Sequence, residues 1–385
     1  MNVQKILFVF GTRPEAIKLF PVIHALRAQP GLAVCVCVTG QHRGLLDSVL
    51  SLADIEPDAD LDLMAPGQSL DALTGRLIVG IGAVLDAEQP DRVIVQGDTA
   101  SAMAGSLAAY YRRIPTAHVE AGLRSGNMHH PWPEEGKRRI IAALSDVHFA
   151  PTHSAVAALR GEGIDAGTIH MTGNSGVDAL LHVRAMLREG TASAPVIAAL
   201  ATRFAGRRII AVTCHRRENL GDLEAIADAL AMLARRDDIA IVLPMHPNPV
   251  VGAAFRAVLD GLPNVALVDP LDFPEFVALL DACHFIITDS GGVQEEAPAL
   301  GKPVLVLRET TERPEGVTAG TALLVGTDPA RILAEAERLL DDPVAHYLMS
   351  RAHSPYGDGQ AAGRIARILA VGCEDESRLS LRRSS

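Results

Sequence analysis

Cysteine is scarce in this chain, and so are the devices by which a sequence announces a metal centre, a membrane span or a nucleic-acid partner. The five cysteines, Cys35, Cys37, Cys214, Cys283 and Cys373, are odd in number and scattered. Three of them lie in apolar segments, which fits reduced core thiols rather than a disulfide framework. Cys35 and Cys37 share one side of a predicted strand, with no further thiol or imidazole ligands at chelating spacing, so no metal site is expected. Basic residues are in deficit: 35 Lys and Arg against 46 Asp and Glu give 35 − 46 = −11. Such a field attracts neither nucleic acid nor anionic lipid, and any anionic ligand has to be held by local groups. The first apolar run, Ile6 to Phe10, is far too short for a signal h-region or for the ~20 residues of a membrane span, and the expectation is a cytoplasmic protein. There is no Walker loop, no GxGxxG and no HExxH.

What the chain does have is 385 residues, 48% apolar and 21% charged, enough for two domains with sizeable cores. Short Val- and Ile-rich runs bounded by turn residues alternate with helical patterns from end to end, which predicts parallel α/β sheets. Strands are expected at Lys5 to Phe10, Val34 to Val38, Arg92 to Val95, Thr116 to Val119, Val147 to Phe149 and Thr168 to Met171. A second set is expected at Arg208 to Val212, Ile239 to Leu243, Val265 to Val268, Phe285 to Thr288, Pro303 to Leu307 and Leu323 to Val325. The near-continuous apolarity of KILFVF, RVIVQ, RIIAV, IAIVL, HFIIT and PVLVL places helices on both faces, as doubly wound sheets require. Two sheets of about six strands follow. The first domain is expected over 1–173 and the second over 174–359; a helix over 360–373 could cross back to the first, and the polar segment 374–385 reads as a mobile tail.

Polar residues gather in dense words after the strands: GTRPE, TGQHR, QGDTAS, HVEAGLRSG, CHRRENL, MHPNP, TDSGGVQEE and LRETTERPE. The carboxyl ends of parallel strands form the ligand crevice of doubly wound sheets, so two such domains facing one another would pool these words in one cleft. In TDSGGVQEE, a strand leads through Ser290, Gly291 and Gly292 into a helical pattern running to Leu300. The glycines admit a ligand to the backbone, the first helical N–H groups have no partner and the helix dipole favours an anion, so a phosphate cradle fits. Ser290 can donate to a phosphoryl oxygen and Glu296 can accept from ribose hydroxyls. An ordinary helix with Ser290 as N-cap has the same spelling. Arg13, Lys18, His215, Arg216, Arg217 and Arg313 supply cations, and a diphosphate is the natural guest. Asp98, Glu120, Glu134 and Glu135 form a carboxylate group at strand-end loops of the first domain, which points to proton chemistry divided between an acid and a base. Helix N-terminal charge complementarity accounts equally well for Glu134 and Glu135 taken alone.

These words resemble, in order, those of the non-hydrolysing UDP-N-acetylglucosamine 2-epimerases: GTRPEAIK (Gly11 to Lys18), GDT (Gly97 to Thr99), HVEAGLR (His118 to Arg124), PWPEE (Pro131 to Glu135), HRREN (His215 to Asn219), TDSGGVQEEAP (Thr288 to Pro298), TTERPE (Thr310 to Glu315) and PYGDGQA (Pro355 to Ala361). The resemblance runs from Phe10 to about Arg367. It implies two Rossmann-like domains in a glycosyltransferase-B-like arrangement, a last helix crossing back, a homodimer, and no cofactor or metal. It also implies interconversion of UDP-GlcNAc and UDP-ManNAc, by anti elimination of UDP through 2-acetamidoglucal and re-addition.

Carried over by motif, Asp98, Glu120 and Glu134 are the acid/base carboxylates and His215 stands beside the departing diphosphate. Arg13, Lys18, Phe276, Ser290, Gly291, Gly292, Glu296 and Arg313 fall where the family binds UDP. Gln41, Arg216 and His246 match residues through which some members bind a second, activating UDP-GlcNAc, whereas Gly44 and Gly67 replace longer polar side chains used by some of them. Gln96 stands where the family often has His, and Lys137 where it has Asn. A UDP-sugar transferase with the same phosphate cradle is the rival reading, and the carboxylate set argues against it.

Overall fold

Five consecutive apolar residues, Ile6 to Phe10, cannot alternate between a wet and a dry face, and in the fold all five are fully buried. They belong to a sheet covered on both sides. The structure, a computed structural model, describes residues 3–40, 43–63, 67–216 and 219–371. Gln41, Arg217, Cys373 and the segment 374–385 lie outside the described residues.

The chain folds as two compact units, one made of residues up to Ala179 together with those from Gly357 on, the other of Leu180–Tyr356. In the first, seven strands run β1 (Gln4–Phe10), β2 (Leu32–Val38), β3 (Ala59–Asp60), β4 (Arg92–Gln96), β5 (Thr116–Val119), β6 (Val147–Ala150) and β7 (Ile169–Met171). Their order in the sheet is β3-β2-β1-β4-β5-β6-β7 and every pairing is parallel, Phe8 lying opposite both Val36 and Ile94. In the second, β8 (Arg208–Thr213), β9 (Ile239–Pro244), β10 (Val265–Val268), β11 (Phe285–Thr288), β12 (Val304–Val306) and β13 (Ala322–Leu324) are ordered β10-β9-β8-β11-β12-β13, again all parallel. Both units are thus doubly wound. The first carries one strand more than the apolar runs suggest: β3 is two residues long at the sheet edge, too short to show a period.

Helices cover the faces. Helix Leu70–Glu88 lays Leu73, Leu77, Ile81 and Leu85 against Leu7, Val9, Val93 and Val95, at the 3–4 residue spacing of one helical stripe. In the second unit Ile226, Leu230 and Leu233 of helix Leu223–Leu233 join Ile210, Val212 and Ile241 of the sheet. Burying one such side chain contributes roughly 1.5–3 kcal/mol, so each stripe is a substantial part of the core of its unit. Among the described residues no helix is long and apolar enough to cross a membrane.

The last helix, 361–371, is fastened through its buried N-terminal end. Its first amides have no intrahelical partner, and Asp178, mostly buried, accepts from the N–H of Ala361 at 3.2 Å and of Ala362 at 2.9 Å. Burial pushes the Asp178 carboxyl up, and these two amides oppose the shift. Replacing Asp178 by Ala should cost about 1–3 kcal/mol, the scale of stranding buried donors. Hydrogen exchange at Ala361 and Ala362 should accelerate selectively in the variant; unchanged protection there would contradict the assignment.

Candidate active site

In the first unit the strand order reverses between β1 and β4, and the loops leaving these two strands sit side by side at that switch point. One carboxylate ties them together. Glu15, fully buried, accepts from the backbone N–H of Gly11 at 3.0 Å and of Thr12 at 2.8 Å through one oxygen, and from the Thr99 hydroxyl at 2.6 Å through the other. Thr12 returns a bond to the Glu15 amide, completing a capping box at the start of helix Arg13–Arg27. Burial raises the Glu15 carboxyl, and the three donors pull against it.

Asp98 stands on the loop that Glu15 grips, and that loop is fixed from two more sides. His118 Nε2 lies 2.8 Å from the Gly97 carbonyl, which can only accept, so Nε2 carries the proton. Burial drives the His118 ring down to about 3, and it is neutral at ordinary pH. Arg138 closes on Asp98 with Nε at 2.8 Å and Nη2 at 2.7 Å from the same oxygen.

Glu120 follows β5 in a left-handed conformation, φ 64°, which costs a non-glycine residue on the order of 1–2 kcal/mol and is held only by its surroundings. Its carboxylate is paired with the Lys18 ammonium, both side chains largely buried. Two residues on, Gly122 has φ 90°, and a Cβ there would stand 2.4 Å from the Ala155 carbonyl oxygen, so the turn admits glycine alone.

The neighbours Glu134 and Glu135 part company. Glu135 is wholly buried, accepting from the Ser125 amide at 3.0 Å and lying 3.4 and 3.5 Å from Arg138 and Arg139. It braces the loop after β5. Glu134, the first residue of helix Glu134–Leu144, is half-buried and has no side-chain partner among the described residues.

The second unit repeats the switch-point device between β8 and β11. Asp289, fully buried, accepts from the amides of His215 at 2.9 Å and Arg216 at 2.8 Å and from the Asn219 side chain at 3.1 Å. Its other oxygen lies 3.0 Å from His215 Nδ1. Burial opposes its charge, but the His215 contact and these amides bring the Asp289 carboxyl below the ordinary range. An ionised partner fixes the proton of His215 on Nδ1 and turns Nε2 away, with the side chain 38% exposed. The ring of His246 stacks on His215 at 5.8 Å, and burial lowers the His246 ring, with His215 next in effect.

Beyond Ser290 the α-helix is short, Gly291–Glu296, and gives way to a 3₁₀ turn at Ala297–Leu300. Pro298 has no N–H to continue the α ladder, so the helical run reaches Leu300 in 3₁₀ form. Ser290 holds the N-cap position without a side-chain cap bond. A methyl on Gly292 would stand 3.9 Å from both Ser290 Oγ and Glu296 Oε1, so these two side chains converge over that glycine. Arg313 crosses Gly291 so closely that a Cβ would lie 2.7 Å from its guanidinium carbon. It donates to Glu295 at 2.7 Å and Glu312 at 2.8 Å. Glu312 also faces Arg216 at 3.7 Å and Arg308 at 3.4 Å; burial opposes its charge, and the three arginines hold its carboxyl low. Phe276 is half-buried on helix Phe273–Ala282, which follows β10.

Within the first unit the fold therefore pairs Lys18 with Glu120 and fixes Asp98, while Arg13 stands at the head of helix Arg13–Arg27. Within the second it gathers His215 with His246, and Arg216 with Arg313. Sequence reasoning missed the residues behind these: Glu15, Arg138, Asp289 and Glu312. Glu15, Asp289 and Glu312 lay inside motifs already singled out for a neighbour, and Arg138 three residues beyond one.

The sequence pattern of the UDP-N-acetylglucosamine 2-epimerase family matches residues 24–370. The chain is 49% identical over 369 residues to the UDP-N-acetylglucosamine 2-epimerase of Salmonella typhimurium, covering 95% of this chain and 98% of that one. The crystal structure of the Neisseria meningitidis UDP-GlcNAc 2-epimerase bound to UDP-GlcNAc superposes with a TM-score of 0.88 at 42% identity, over 95% of this chain and 99% of that one. The Methanocaldococcus jannaschii UDP-GlcNAc 2-epimerase in complex with UDP-GlcNAc and UDP follows at a TM-score of 0.81 and 32% identity, over 96% and 100%. With both sheets, the ordered motifs and nearly the whole length in common, the chain belongs to the UDP-N-acetylglucosamine 2-epimerase family.

Proposed function

We propose that this enzyme interconverts UDP-GlcNAc and UDP-ManNAc by elimination and re-addition of UDP. The C1–O bond to UDP breaks as the C2 proton leaves from the opposite face, its bonding pair forming the C1=C2 double bond of 2-acetamidoglucal. UDP then adds back at C1 while a proton is delivered to C2 on the other face. Asp98, Glu120 and Glu134 divide the proton transfers. The observation that carries this reading is the carboxylate set of the first unit: two members are locked by cations, Arg138 and Lys18, and the third, Glu134, has no side-chain partner among the described residues. Seating a nucleotide requires none of these.

In the second unit Arg313, Ser290 and the backbone at Gly291 and Gly292 would receive the diphosphate, with Glu296 toward the ribose and Phe276 toward the uracil. Arg13 and Lys18 add positive charge from the first unit. His215, held through Nδ1 by Asp289, presents Nε2 to the departing oxygen, where a proton on it neutralises the developing charge. Assembly as a homodimer belongs to the same reading, and Val79, Tyr110 and Tyr111 on adjacent helices of the first unit are more than half exposed.

Incubating the protein with UDP-GlcNAc in deuterium oxide and following the sugar by NMR should yield UDP-ManNAc carrying deuterium at C2. Unchanged nucleotide sugar, or free sugar and UDP as the main early products, would overturn the proposal; UDP release only with an added acceptor would favour a transferase. Asp98→Asn and Glu134→Gln should fold and bind UDP with little loss yet turn over roughly 100-fold more slowly or worse, the scale of general acid–base catalysis. Near-native turnover in either variant removes that residue from the mechanism. A second UDP-GlcNAc at Gln41, Arg216 and His246 would activate only weakly, because Gly44 and Gly67 offer it no side chain and each missing polar contact forfeits about 0.5–1.5 kcal/mol. Initial rates on pure UDP-ManNAc should be measurable without added UDP-GlcNAc; a complete lag abolished by that addition would refute weak activation.

A further inference from the structure

Helix Pro314–Ala319 begins without a cap from its own N-cap residue, Arg313. The first N–H groups of a helix have no intrahelical partner. Pro314 has no N–H, and the amide of Gly316 is taken by the hydroxyl of Tyr356, 40 residues further on, at 2.9 Å. The same hydroxyl donates to the Arg313 carbonyl at 3.2 Å. The Tyr356 ring is 2% exposed, so its hydroxyl has no water to fall back on. Gly316 is fitted to it, since a Cβ there would stand 3.0 Å from the Tyr356 oxygen. On the amide side Arg313 is held by the Thr311 hydroxyl at 3.1 Å, and Thr311 donates in turn to Gln294 at 2.7 Å. The backbone that carries Arg313 is thus clamped at both of its polar groups, and from it the guanidinium reaches across Gly291.

We propose that Tyr356 is a positioning residue for Arg313. Its hydroxyl supplies the cap that the helix lacks, fixes the carbonyl of Arg313, and so sets how well the guanidinium meets a diphosphate. The proposal rests on the placement of Arg313 at UDP. Tyr356 is also the last residue of its unit, next to Gly357 at φ 137°, where the chain leaves for the other unit.

The test is a double-mutant cycle on the full-length protein, with UDP affinity read by calorimetry for the wild type, Tyr356→Phe, Arg313→Ala and the pair. Phenylalanine keeps the buried ring and removes only the hydroxyl. Its loss should weaken UDP binding about three- to tenfold, the range for one hydrogen-bonding group, and should weaken it no further once Arg313 is gone. An equal loss in both backgrounds, or none in the wild type, overturns the positioning role. Gly316→Ala, which presses on the same hydroxyl without deleting it, should show the same dependence on Arg313, and decides the matter alone if Tyr356→Phe does not fold. An Arg313→Ala variant that binds UDP as the wild type does would instead overturn the placement of Arg313, a result visible before any Tyr356 variant is made.

Discussion

A parallel sheet leaves its strand-end amides without partners where the chain turns out of the ladder, and at each switch point here a single buried carboxylate takes them up. Glu15 does so between β1 and β4, Asp289 between β8 and β11. Burying an ionised carboxylate costs several kcal/mol, and each of these offsets that cost with three or more donors. Each stranded donor would itself cost about 1–3 kcal/mol, so removing either carboxylate is more damaging than its exposure alone would indicate. The result is a pair of loops locked to one another before any ligand arrives, and the residues that face the ligand inherit that rigidity.

The charge problem is solved in the same local way. With an overall charge of −11 the chain cannot attract a diphosphate through its general field, and its cations are instead gathered and internally compensated. Arg216, Arg308 and Arg313 surround Glu312, Lys18 pairs with Glu120, and Arg138 with Asp98. Compensation keeps the guanidinium forks ordered without a ligand, so less side-chain entropy is lost on binding than with free surface arginines. The arginine cluster in particular is built around a carboxylate whose charge and planar geometry approximate part of a phosphate. A bound diphosphate would join that cluster as a further anion.

The strands were legible because apolar runs report burial directly, and most ends fall within a residue or two of the observed ones. The two-residue β3 and the change from α to 3₁₀ after Glu296 were not, since the first carries no periodicity and the second turns on one proline. The motifs marked the loops after β1, β2, β4, β5, β8, β9, β11 and β12, yet not the bonds between loops. Glu15 meets Thr99 across 84 residues, Lys18 meets Glu120 across 102, and Asp98 meets Arg138 across 40. No local pattern encodes such pairings, because they follow from which strands the sheet brings side by side. Gly291 illustrates the difference: its type was evident from the sequence as a position open to a ligand, but its closest neighbour is the Arg313 guanidinium.

One device thus serves two chemistries. In the first unit the buried carboxylate holds a loop whose next polar residue is itself a carboxylate, Asp98, and the same unit carries the strained Glu120 and Glu134, which has no side-chain partner among the described residues. In the second it holds a histidine and the head of an arginine cluster. The sheets are the same; the side chains one residue beyond the lock differ in charge. An elimination that breaks a C–O bond and a C–H bond together needs a site that stabilises negative charge at the leaving oxygen and a separate one that accepts a proton at the neighbouring carbon. Under the proposed elimination the leaving-oxygen charge falls to the histidine and arginine frame and the proton to the carboxylate frame, where Asp98 and Glu120 are already oriented by Arg138 and Lys18.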